Sequence, residues 1–292
     1  TKLKQVDMKL LLIFFGAHAM SVVEGYVSIC DEKSDDNSNF TVLFEDTFDG
    51  EQLSEDWVIT EGNELGQLRD TWGQKENINV EGGRLVITTK REQSNGYNFT
   101  SGALTTKGKQ FFKPPFKACV VAQLPGSGID GEMDGIWPAH WMMPQNSSCW
   151  PDDGEIDIME QVDGLNTIYS TFHWNPNKDE KNPAPCDNGH DHAGVNVEVA
   201  TSLTDFHEYA VFADDSGELV YYVDGEEIGR INEESKGEME GTTPQKDPNT
   251  AFYLILNTAI STGGVWPKAV TDKTVFPIYH YVEDAKILGK AP

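Results

Sequence analysis

Basic residues are scarce: 22 Lys and Arg face 48 Asp and Glu, for a formal charge of −26. So acidic a surface repels nucleic acid and anionic lipid. It equally disfavours sulfated or uronate-rich polymers, so a neutral partner fits best. The plain alternative is a solvated acidic face with no partner. Long apolar runs are missing too. Leu10 to Phe15, extending to Ala17, is too short to span a bilayer, and no later stretch could cross one. Ala17-His18-Ala19 offers a small-x-small cleavage site. Residues 1–25 therefore read as upstream residues and a secretory signal peptide, with Met8 as the start. The expectation is an exported, extracellular protein, monomeric and free of the membrane after cleavage.

Cysteine is limited to Cys30, Cys119, Cys149 and Cys186. Export permits disulfides, and four cysteines allow three pairings. Cys149 with Cys186 is the expected pair, because they flank the acidic motif described below. There is no long amphipathic helix, no repeat of fixed period, no Gly-rich phosphate loop after a strand and no Gly-x-Ser-x-Gly elbow.

What is present is a succession of short β-rich runs: 41–44, 85–89, 118–122, 209–212, 219–223 and 252–256. Turn signals separate them, and Asp224-Gly225 between two such runs predicts a tight hairpin. Many strands without helices imply a two-sheet sandwich or barrel. After the signal, residues 26–39 read as a polar linker, and 40–292 as one β-domain. Residues 175–196 and 232–250 read as surface loops. Asn39, Asn98 and Asn146 open glycan-acceptor sequons.

Chemistry concentrates in Asp153-Gly154-Glu155-Ile156-Asp157-Ile158-Met159-Glu160. Acidic and apolar residues alternate, as on a strand with one polar face. Strict alternation would send Glu160 into the core, where a lone carboxylate is costly. A one-residue bulge at Ile158-Met159 resets the pleat and returns Glu160 to the face of Glu155 and Asp157. Four strand steps at about 3.3 Å then separate Glu155 from Glu160, and leaning side chains could close the gap to about 5 Å, the spacing of a retaining glycosidase. Three carboxyl groups so close cannot all ionise cheaply, so at least one should have a raised pKa. The bland reading is an acidic surface strand, and the surrounding aromatics argue against it. Trp137, Trp141, Trp150 and the pair His173-Trp174 cluster around this strand, and flat aromatic faces stack on sugar rings.

Other stretches carry further matches: Phe44 to Gly50 with Trp57, NVEGGRL at 79–85, Ser101-Gly102, WPAHWMMP at 137–144, DFHEY at 205–209, YVDG at 222–225 and LILN at 254–257. Together with GEIDIME at 154–160, and in this order, they make residues 41–289 resemble glycoside hydrolase family 16, in its bulged, laminarinase-type branch. The resemblance implies a β-jelly-roll sandwich of two antiparallel sheets with an open substrate cleft on the concave face. It also implies a retaining double displacement. Glu155 would be the nucleophile, Glu160 the acid/base, and Asp157 the residue that steadies Glu155. The implied substrate is a neutral β-1,3-glucan, with mixed β-1,3-1,4-glucan as the near alternative. The expected substrate-binding set is Trp137, Trp141, Trp150, His173, Trp174, Asn77 and Trp266. No cofactor is required for catalysis.

Some relatives of this type hold a structural calcium, for which Glu283 is the comparable residue here. Ala103, Cys119, Phe212 and the stretched segment 258–264 depart from the family pattern and bear on subsite preference. Two further readings stay open: a glucan-binding recognition protein without turnover, and a transglycosylase. Cys186-Asp187-Asn188-Gly189-His190-Asp191-His192 lacks the usual zinc spacing and reads as a solvated loop, and His207 as a packing residue.

Overall fold

Alternation of apolar and polar residues builds two large antiparallel sheets in the computed structural model, which describes residues 26–31, 39–63, 70–146, 149–175, 190–232, 250–263 and 266–290. The first sheet contains β1 (Thr41–Asp46), β4 (Ile78–Val80), β5 (Leu85–Thr89), β8 (Phe116–Gln123), β13 (Phe206–Ala213), β14 (Leu219–Val223), β15 (Glu226–Ile231) and β17 (Ile278–Gly289). Its order is β15-β14-β13-β8-β17-β5-β4, and β1 also pairs with β17. The second contains β2 (Val58–Ile59), β7 (Ala103–Thr105), β9 (Ile136–Pro144), β10 (Glu155–Glu160), β11 (Thr167–Trp174), β12 (Asp191–Glu198) and β16 (Phe252–Ile260). Its order is β12-β11-β10-β9-β16-β7-β2. The short strands β3 (Trp72–Gly73) and β6 (Thr100–Ser101) pair separately. Among the described residues the only helical element is a 3-10 turn at Lys75–Asn77, and no helix is long and apolar enough to cross a membrane. The protein is a jelly-roll sandwich, as the sequence predicts.

The inner faces supply the core. Leu85, Ile87, Val120 and Val211 from the first sheet meet Met142, Ile156, Phe172 and Leu254 from the second, all fully buried. Each such side chain contributes about 1.5–3 kcal/mol relative to exposure. The predicted hairpin forms at Asp224-Gly225, with φ of 50° and 73°. Both are left-handed, as a type I′ turn requires. Asp224 also accepts from the Glu208 amide at 3.0 Å and sits 2.6 Å from His207 Nδ1, which fixes His207 within the fold.

Two expectations are corrected here. Residues 191–198 are not loop but the edge strand β12, paired with β11 along its length. The signal was there in Ala193, Val195, Val197 and Val199, spaced by two and packed on the core. The segment 26–31 is not a free linker, because Cys30 forms a disulfide with Cys119 on β8. Cys149 is also disulfide-bonded, and Cys186, its expected partner, lies outside the described residues. Glu283, the residue comparable to a calcium ligand, faces Arg84 Nη2 at 3.5 Å. The signal segment 1–25, most of the linker, and the segments 176–189 and 233–249 lie outside the described residues. Asn39, Asn98 and Asn146 are exposed.

Candidate active site

Strand β10 enters the sheet through Gly154, whose φ of 90° favours glycine and whose absent Cβ would lie 2.8 Å from the Phe172 ring. From there the register with both neighbours is broken once. Toward β11, Asp157 pairs with Thr171 and Glu160 with Tyr169, so three steps on β10 oppose two. Toward β9, Asp157 pairs with Trp141 and Met159 with His140, so two steps oppose one. This is the expected bulge. It lets Ile158 and Met159 both enter the core, at 1% and 0% exposure. Glu155 and Glu160 then line one groove of about 520 Å³ together with Trp137, Trp150, Tyr169, His173 and Trp266.

Each glutamate holds an indole N–H. Trp150 donates to Glu155 Oε2 at 2.8 Å, and Trp137 donates to Glu160 Oε1 at 3.0 Å. Trp266 crosses the edges of Trp137 and Tyr169 at ring separations of 5.1 and 5.5 Å. The groove therefore has aromatic walls at both glutamates. Trp141 lies on the same face of β9 as Trp137 and donates to Asn257 Oδ1 at 2.7 Å. Asp157 sits beneath, 3% exposed. Burial pushes its carboxyl well above the usual range, and a hydrogen bond with Glu155 opposes that rise only in part. A raised carboxyl is present at Asp157, but burial and not the crowding of charges is its cause.

His173 pairs with Glu155 across the strands. Its Nε2 lies 3.1 Å from Asp157 Oδ2 and 3.8 Å from Glu155 Oε1. Burial lowers its pKa, with the Glu155 charge acting against that. Trp174, its neighbour, points the other way. It is 2% exposed and stacks on Phe172 inside the sandwich. Adjacent strand residues face opposite sides, so both could not reach the groove, and the expectation for Trp174 is corrected. Asn77 is corrected likewise. It is fully buried and donates to Thr100 Oγ1 at 2.9 Å, away from the residues that line the groove.

The sequence reading missed His190 and His192. Their two-residue spacing places both on one face of the β12 edge, and His192 pairs directly with His173. His173 Nδ1 is 2.9 Å from His190 Nε2, and the three rings lie 5.1–5.7 Å apart. The pKa of His190 is lowered by burial and by the neighbouring histidines. Among the described residues two sets bring ligand atoms within 4.8 Å of one another: His173, His190 and His192, and Glu155, Asp157 and His173.

Known proteins share the sequence pattern and the fold. The sequence model for the XgeA-like, catalytic GH16 domain matches residues 130–210, the stretch that contains β9, β10 and β11. The chain is 29% identical over 289 residues to a β-glucanase of Rhodothermus marinus, covering 93% of each. Its fold superposes on the laminarinase catalytic domain of Thermotoga maritima with a TM-score of 0.70, at 27% identity, over 87% of this chain and all of that one. The endo-β-1,3-glucanase of Pyrococcus furiosus gives a TM-score of 0.70 at 26% identity, over 88% and 97% of the two chains. The fold and these relatives converge on glycoside hydrolase family 16, whose catalytic-domain model this chain matches through its acidic strand.

Proposed function

We propose that the protein is a secreted, endo-acting β-glucan hydrolase that cleaves with retention, using β-1,3-glucan and, second, mixed β-1,3-1,4-glucan. The observation that carries this reading is the placing of Glu155 and Glu160 in one aromatic groove by the bulge between them. Glu155 attacks the anomeric carbon while Glu160 gives its proton to the departing glycosidic oxygen, and a glycosyl ester on Glu155 results. Water then gives a proton to Glu160 and its oxygen to the sugar, releasing Glu155 with the β configuration restored. Asp157, its carboxyl raised by burial, hydrogen-bonds to Glu155 and steadies the nucleophile. Trp150 and Trp137 each hold one of the two carboxyl groups and, with Trp266, offer apolar faces to pyranose rings.

The names of the relatives, β-glucanase, laminarinase and endo-β-1,3-glucanase, favour this substrate class. The net charge of −26 favours a neutral polymer over a sulfated one. Export is supported by the Cys30–Cys119 disulfide, which suits an oxidising compartment. The test is digestion of laminarin, lichenan, agarose and carrageenan, with products resolved by length and anomeric configuration followed by NMR. Internal cleavage of laminarin with β-anomer released first is expected. Binding to laminarin without release of reducing ends would instead make the protein a glucan sensor. Products longer than the substrate would make it a transglycosylase.

A further inference from the structure

We infer that His173, His190 and His192 form a binding site for a divalent transition-metal ion of the zinc, copper or nickel class, and that an ion held there obstructs the groove beside Glu155. Three neutral imidazoles are the donor set such ions prefer over calcium or magnesium. One ligand nitrogen from each ring lies within 4.8 Å of the others, and the His173–His190 pair already stands at 2.9 Å. Zinc binds imidazole nitrogen at about 2.0–2.1 Å in tetrahedral sites, which places neighbouring donors roughly 3.4 Å apart. Small ring rotations reach this geometry, and both His190 and His192 are exposed on the edge side.

The backbone supplies the arrangement. The pairing of β11 with β12 sets His192 directly across from His173, and the two-residue period brings His190 to the same side. A metal-binding histidine usually offers its second ring nitrogen to an oxygen acceptor, which fixes the tautomer. His173 has this partner. Asp157 Oδ2 is buried and stands 3.1 Å from His173 Nε2, placed to accept from it. That contact favours the proton on Nε2 and leaves Nδ1 as the donor atom facing His190. With three protein ligands, a tetrahedral ion keeps a fourth position for water or a sugar hydroxyl.

The consequence for the groove follows from what surrounds the three rings. Trp150 packs on His190 at 4.6 Å and holds Glu155 through its indole N–H. A dication at the histidines would tie the edge strand to β11, occupy the groove at that end, and place positive charge beside the carboxylate that must act as nucleophile. This second half rests on the proposed catalytic role of Glu155, and the ion-binding half does not.

The test titrates zinc chloride into chelator-stripped full chain by calorimetry, then repeats it with His190→Gln/His192→Gln. One ion per chain is expected, with binding at least tenfold weaker in the variant. Laminarin hydrolysis is followed with and without zinc, and the ratio is read within each protein. Zinc should lower the wild-type rate severalfold and leave the variant's ratio near one. The site is overturned by zinc binding that is unchanged in the variant, or by no binding up to about 0.1 mM, where any site would be weaker than roughly 5 kcal/mol. Zinc that binds at the histidines without changing hydrolysis overturns the obstruction. Absence of hydrolysis in metal-free protein would count against the glucanase reading alone, since calorimetry still decides the metal site.

Discussion

Trp150 donates its indole N–H to Glu155 Oε2 at 2.8 Å, across the turn that leads into the acidic strand. The ring is 45% exposed, so it can stack on a sugar while orienting the carboxylate. Trp150→Phe keeps an aromatic face and removes the donor. Loss of one hydrogen bond to a charged acceptor costs about 1.5–3 kcal/mol, so kcat/KM on laminarin should fall roughly tenfold to a hundredfold. Thermal stability should hardly change. A variant with wild-type kinetics would leave the indole only a stacking role.

The two glutamates should fail differently. Glu155→Gln should abolish turnover on every substrate while glucan binding persists. Glu160→Gln should lose about 10²–10⁴-fold on natural glucan, the usual contribution of a general acid, and much less on aryl glycosides whose leaving group needs no proton. Steady-state rates on laminarin and on an aryl laminaribioside check both. Near-normal activity of Glu155→Gln would end the assignment.

Met159 is the residue that the bulge adds to the core, and it is fully buried. Met159→Ala leaves a cavity beneath β10 and should cost about 2–5 kcal/mol in denaturant unfolding. Because the same bulge aims Glu160, activity should drop even at temperatures where the variant is fully folded. Activity loss that merely tracks unfolding would separate the bulge from the chemistry.

Glu208 and Asp284 pair with Val121 from its two sides, on β13 and β17. Burial above all pushes both carboxyl groups up, each to about 7. In the unfolded chain they ionise from near 4.5 and 3.8. Between those values and about 7 the unfolded state holds fewer protons than the folded state, so stability falls as pH rises and levels off above. Each group accounts for a loss on the order of 3–4 kcal/mol. Glu208→Gln should therefore raise Tm relative to wild type at about pH 8 and leave it nearly unchanged at about pH 4. Equal changes at both pH values would show that Glu208 is already ionised in the fold.

Much of the fold is legible in local pattern. The runs 85–89 and 219–223 coincide with β5 and β14, and Asp224-Gly225 forms the turn its chemistry demands. The bulge is legible as well, because a carboxylate spaced five residues from its partner has no inexpensive place in an unbroken pleat. Trp174 shows how the same rule is misapplied: its own neighbour His173 already claims the groove face.

The sequence by itself determined the period of each strand, the position of the bulge and the identity of the carboxyl groups, because these depend on neighbours a few residues away. Only the tertiary structure decided which distant groups meet. It set Cys30 against Cys119, brought Arg84 to Glu283, enclosed Asn77 beside Thr100, and gathered His190 and His192 around His173. Such meetings depend on strand order and register, and these are set by how the two sheets bury their apolar faces together.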